Sequence, residues 1–261
     1  MGDHALQVTT TAITAWIGGF LWTLLRVSVM LAATPIFSAR MVPLKVRLTI
    51  GLLLTWMVLP FVPPVPAVEP LGPIGLLISM HQLLIGLAMG FTFQMVFAAL
   101  AVAGESVAMS MGLGFAFMID PQNGIQVPVL SSFYVVLGTL LFVALNGHLA
   151  LIEMLVDSFN TLPIGVEGLG PERIWQLVTW AGRMFRGAVL VALPVLTSML
   201  LVNLTLGVIT RAAPQLNVFA VGFPMTLFLG FVLLLLSIPS FVQQFEQLLA
   251  AGYTLIAQIT G

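Results

Sequence analysis

The sequence predicts an all-α fold of membrane-protein type, made of hydrophobic helical hairpins, and three observations predict it. Of the 261 residues, 60% are hydrophobic and 7% charged, against roughly 45–50% apolar and about 25% charged in an average soluble domain. Six apolar stretches reach or approach the ~20 residues needed to cross about 30 Å of hydrocarbon. Proline and glycine fall between these stretches and punctuate them.

The stretches are, in order, Ala12 to Ala33, Leu44 to Leu59, Ile74 to Ala103, Val127 to Leu145, Gly187 to Ile209 and Phe223 to Ile238. Pro35 and Pro43 bracket the first turn. Pro60, Pro63, Pro64, Pro66, Pro70 and Pro73 stiffen the second connection into an extended linker. The third helix, at about 30 residues and roughly 45 Å, exceeds the hydrocarbon thickness, so it must tilt, protrude or lie partly outside lipid. Gly170, Pro171 and Glu172 suit a helix start, with proline in the first turn and a carboxylate at the positive end of the dipole. This helix is expected to carry Arg183 and Arg186, and Pro194 predicts a kink in the apolar run that follows. After Pro239, Phe241, Phe245, Leu248, Leu249, Ile256 and Ile259 recur at helical spacing among Gln243, Gln244, Glu246, Gln247 and Gln258. That pattern reads as an interfacial or subunit-packing helix.

The stretch from Gly104 to Pro128 is apolar, yet too rich in glycine and proline for one continuous helix. Lipid offers backbone N–H and C=O groups no partners, so such a segment must be packed inside protein or line a water-filled path. It is therefore the candidate functional site. Met109, Met111, Leu113, Phe115, Phe117 and Met118 supply large side chains, methionine's being especially deformable, and Gly112 and Gly114 let the backbone turn closely. Apolar constrictions can close a water path by dewetting. The same composition also suits ordinary core packing.

Composition and motifs exclude several function classes. The net charge is −1, and 8 basic residues scattered in ones and twos form no stripe that could track a phosphate backbone, so nucleic-acid binding is set aside. There is no cysteine, which removes disulfides, iron–sulfur clusters and thiolate metal sites. The N-terminus lacks the basic region of a secretory signal, so the first apolar segment is expected to be retained, and Leu6 breaks the myristoylation pattern. His4, His81 and His148 are too dispersed for a helix-borne metal pair. Phe117 stands where a dinucleotide fingerprint beginning at Gly112 and Gly114 needs glycine. No nucleophile elbow or phosphate loop occurs, so no metal site, cofactor or catalytic group is assigned.

Polar residues inside apolar stretches are read one by one. Arg26 is costly if it faces the bilayer centre, about 2.5–3.5 kcal/mol, so it is expected to face protein, in an ion pair or carbonyl contact, or to snorkel. Glu105 is expected to hold the loop that follows it rather than relay protons. Glu153 and Asp157, four apart, form a solvated acidic face. His81 and Gln82 beside Gly86 and Gly90 read as helix packing through small residues. Arg40, Lys45, Arg47 and Arg211 mark cytoplasmic loops, whereas Glu69, Glu153, Asp157 and Glu167 lie in acidic ones. Both termini then fall outside the cytoplasm, with 104–126 on its inner side.

Three patches together resemble the FliR family of flagellar type III export gates, whose injectisome relatives are the T subunits. They are TPIFSARMVPLKVR from Thr34 to Arg47, the run from Gly104 through DPQNG and VPVL to NGHLALIEMLVDSFNTLPIG ending at Gly165, and RAAPQLNVFAVGFP from Arg211 to Pro224. The flagellar branch is favoured by the run from Leu145 to Gly165. The resemblance implies a single non-enzymatic export-gate domain over 1–261, assembled with FliP and FliQ into a helical ring and engaged by FlhB. Within it, 12–145 corresponds to a FliP-like part containing the 104–126 plug loop, 146–186 to connecting amphipathic helices, 187–240 to a FliQ-like hairpin and 241–261 to a C-terminal amphipathic helix. It implies one copy per assembly, in the bacterial inner membrane at the flagellar basal body, with the gate lifted toward the periplasm.

The family's plug corresponds to roughly Met109 through Gln122, with Met109, Met111, Gly112, Leu113, Gly114, Phe115, Phe117 and Met118 at the seal and Glu105, Asp120 and Pro121 supporting it. The hairpin tip, with Arg211, Pro214, Gln215, Asn217, Phe219 and Pro224, is the candidate surface for FlhB. Unfolded export substrates are expected to pass a pore partly lined by this chain. The rival expectation is a small-molecule or ion transporter, whose broken helices would present charge at a midplane site.

Overall fold

The computed structural model describes residues 2–38, 42–114, 129–212 and 218–261, and all regular structure among them is helical. Ten α-helices are described: α1 Gly2–Ala33, α2 Pro35–Ser38, α3 Leu44–Val58, α4 Pro73–Ser110, α5 Val129–Ala144, α6 Gly147–Thr161, α7 Pro171–Thr179, α8 Ala181–Ala212, α9 Val218–Leu236 and α10 Ile238–Thr260. A 3-10 turn, Leu59–Phe61, continues α3, with Pro60 inside its first turn. Among the described residues, four helical segments are long and apolar enough to cross a membrane, and up to 6 if two bent pairs each count as one. Those pairs are α5 with α6, bent by 69°, and α9 from Gly222 with α10, bent by 58°. The first bend is set at Asn146, whose φ of 56° is left-handed. Asparagine is among the few side chains that tolerate that region, and Gly147 follows it.

The chain forms two compact units, each assembled from discontinuous segments. One comprises residues 1–95, 143–181 and 251–261. Its core holds Trp22, Val27 and Met30 from α1, Ile78, Ile85 and Met89 from α4, Leu155 and Phe159 from α6, and Ile256 and Ile259 from α10. Helices α1 and α4 approach closely because Gly86 and Gly90 carry no side chain. A Cβ on Gly86 would collide with the Arg26 carbonyl, and one on Gly90 would lie 2.5 Å from Ala33 Cβ. The expectation of packing through small residues beside His81 and Gln82 is met here.

The other unit comprises 96–142 and 182–250. Its core is an aromatic chain of edge-to-face contacts: Phe97 meets Phe142 and Phe245 at 6.1 and 6.0 Å between centroids, and Tyr134 meets Phe241 at 5.1 Å. Such pairs contribute about 0.5–1.5 kcal/mol each beyond the burial of their area. Two of these rings belong to α10, so its apolar face is buried against helices of its own chain. The expectation of an interfacial or subunit-packing tail is corrected accordingly.

Two further boundaries differ from expectation. Helix α4 does not stop at Ala103 but continues through Gly104 and Glu105 to Ser110, 38 residues in all, or about 57 Å at 1.5 Å per residue. Gly104 is a packing glycine: a Cβ there would lie 2.6 Å from Ser131 Cα and 2.7 Å from the Leu130 carbonyl. Arg183 and Arg186 lie on α8 rather than on the helix that Pro171 starts, because that helix ends at Thr179.

Candidate functional site

The candidate loop leaves α4 through a defined helix stop. Gly112 has φ 83°, a conformation glycine adopts at no steric cost. The Leu113 N–H donates to the Ala108 carbonyl at 3.0 Å and the Gly112 N–H to the Met109 carbonyl at 3.1 Å. This pair of bonds is a Schellman motif, which satisfies two of the carbonyls a helix end leaves without partners. The carbonyl of Ser110 is taken up from another helix: Asn203 Nδ2, on α8, donates to it at 3.2 Å.

The stem is also seated. Met111 is fully buried, and Gly230 on α9 makes room for it: a Cβ at 230 would lie 2.6 Å from Met111 Cε and 2.7 Å from its Cγ. Met109, two residues earlier, is 59% exposed, and the missing Cβ of Gly114 leaves space for its sulfur. Leu113 and Gly114 are half-buried. Ser131 on α5 donates from Oγ to the Ala101 carbonyl at 2.8 Å and stands 3.3 Å from Glu105 Oε2, so Glu105 joins α4 to α5 just above the stem. Phe115, Phe117, Met118, Asp120 and Pro121 lie outside the described residues. Of the residues expected at a hairpin tip, Arg211 is exposed in the last turn of α8 and Pro224 is exposed within α9, whereas Pro214, Gln215 and Asn217 lie outside the described residues. Phe219 belongs to the first turn of α9.

Arg26 forms the second polar centre. All five of its N–H groups are engaged by neutral acceptors: Nε donates to Gln82 Oε1 at 2.8 Å, one terminal nitrogen to Ser158 O at 2.8 Å and Oγ at 3.1 Å, and the other to Gln82 Oε1 at 2.5 Å and Leu162 O at 2.9 Å. Its Cζ sits 4.2 Å over the Phe159 ring, a cation–π contact. The carbonyl contacts expected from sequence are present. Arg26 thus ties α1, α4, α6 and the chain beyond α6 into one knot. The Gln82 Nε2 is buried with no hydrogen-bond partner among the described residues.

Glu153 and Asp157 are exposed on α6, a solvated acidic face, and no group of three or more metal-ligating side chains occurs among the described residues. Asn203 and Gly230 escaped sequence reasoning. Each had a signal: a lone carboxamide in the apolar run from Gly187 to Ile209, and a lone glycine between Phe223 and Ile238.

Helical structure throughout the described residues, with several helices long and apolar enough to cross a membrane, defines an all-α protein of membrane type. Residues 17–252 match the family described as bacterial export proteins, family 1, and the chain belongs to that family. Among its relatives are proteins named flagellar biosynthetic protein FliR. That of Escherichia coli K12 is 39% identical over 254 residues, 97% of each chain. That of Pectobacterium carotovorum is 35% identical over 94% of this chain and 93% of its own, and that of Aquifex aeolicus 34% identical over 84% and 86%.

Proposed function

We propose that this chain is a component of the flagellar export apparatus and, within it, a non-enzymatic gate subunit in the bacterial inner membrane. In this reading it forms the substrate pore with FliP and FliQ, and the 109–122 loop is a displaceable seal for unfolded export substrates. FlhB engages the hairpin tip around Arg211 and Pro224. Membership of the export family supports the first statement. One structural observation carries the second: α4 ends in a capped stop with Met111 rooted in the core and Met109 outside it, so the chain is delivered to the loop from a fixed point.

The transporter alternative draws no support from Arg26. Arg26 has every donor occupied by the protein itself and so offers nothing to a passing anion. The seal is tested by replacing Phe115 and Phe117 together with alanine. Leak of ions or small solutes through the assembled apparatus should rise with its abundance in the membrane unchanged. Wild-type conductance at wild-type abundance would remove the seal from the reading.

A further inference from the structure

We infer that the α8–α9 hairpin positions the loop: Asn203 and Gly230 are positioning residues that fix the point where the chain leaves α4, and Met111 is the anchor of the loop. This rests on the reading of the loop as a seal. Three features of the stem converge on it. The Schellman bonds use the Ala108 and Met109 carbonyls and leave Ser110's, which the hairpin caps through Asn203. Met111 is fully buried and occupies the space that the absence of a side chain at Gly230 provides. Gly112, between anchor and loop, holds the left-handed turn that separates the two.

A helix end capped only by its own backbone would leave the direction of the exiting chain free to follow small tilts of α4. Here one carbonyl and one side chain of the stem are held by two different helices of the hairpin, so stem and hairpin move as a unit.

The test uses the assembled apparatus in cells, with solute leak, substrate export and membrane abundance measured together. Asn203→Leu removes the donor and is expected to raise leak about threefold or more, the scale of one lost hydrogen bond. Gly230→Leu fills Met111's seat and is expected to do the same, and the added Met111→Ala, which vacates the colliding atoms, should restore a tight gate. Leak that Met111→Ala does not correct, or no leak in either single variant, overturns the inference. The Phe115→Ala/Phe117→Ala pair separates the readings. If that pair leaks while the hairpin variants do not, the seal stands and the positioning falls; if none leaks, the seal itself falls.

Should the bulky variants fail to assemble, Met111→Cys with Gly230→Cys serves instead, because the chain has no cysteine of its own. A disulfide is expected to form on oxidation and to leave export running, since a seated Met111 is the working arrangement. Absence of the cross-link, or export that stops until reductant is added, overturns the inference.

Discussion

Arg26 resolves an electrostatic problem in an unusual way. A buried cation is costly, and here the compensation comes from carbonyl and hydroxyl oxygens, a carboxamide and an aromatic face instead of a carboxylate. Only a guanidinium presents five donors in a rigid fork that can reach two further helices and the chain beyond one of them at once. Arg26→Met is expected to lower stability by on the order of 3 kcal/mol, as the Ser158 and Leu162 carbonyls lose charged donors. Arg26→Lys should recover little of it. Gln82→Glu has the opposite sign: it places a carboxylate against a cation already buried and removes the unsatisfied Nε2, so a gain of about 1 kcal/mol is expected. Denaturation of the detergent-solubilised protein measures both, and a Gln82→Glu variant less stable than wild type would refute the account. Facing protein was one of two choices that lipid leaves an arginine, the other being to snorkel; the partners that decide between them were not legible, since Ser158 and Leu162 lie 132 and 136 residues away.

At the scale of elements, the apolar stretches were legible and the reasons for their ends were not. Composition marks glycine as an interruption, but Gly104 and Gly112 do different work inside and at the end of α4. Gly104 admits the backbone of α5, whereas Gly112 supplies a left-handed turn. Only neighbours distant in sequence separate the two cases. The distinction is measurable. Gly104→Ala would force its Cβ against backbone atoms of Leu130 and Ser131, which cannot swing away, and is expected to cost about 1–3 kcal/mol. Gly207→Ala on α8 meets open space and is expected to gain up to about 1 kcal/mol through helix propensity. Helix α10 makes the same point for a whole face. Its periodicity was plain, but whether that face met lipid, a partner or its own chain depended on Phe97, Phe142 and Tyr134. Phe245→Ala should cost about 3–5 kcal/mol in the isolated chain, a loss that a purely intersubunit helix would not show there.

For the whole molecule, the open physical question is which ends of the helices face the cytoplasm, and the charges argue unequally. Arg40, Lys45, Arg47 and Arg211 fall in the connections expected on the cytoplasmic side, whereas Arg173, Arg183 and Arg186 fall in the connection expected opposite, together with Glu167 and Glu172. The orientation rule counts basic residues in short loops near span ends, and the first span usually dominates. That weighting favours the early cluster, where Lys45 and Arg47 begin α3 close behind the first span and no acidic residue intervenes. The outcome expected is cytoplasmic exposure of Lys45 and Arg211, and the opposite exposure of Glu69 and Glu167. All four side chains are exposed in the chain, so single cysteines there are accessible to a reagent, and no native cysteine competes. An impermeant maleimide applied to intact spheroplasts should label cysteine at 69 and 167, and label 45 and 211 only after the membrane is opened. Labelling of 45 or 211 before opening would reverse the orientation and, with it, place the hairpin tip on the wrong side to meet a cytoplasmic partner.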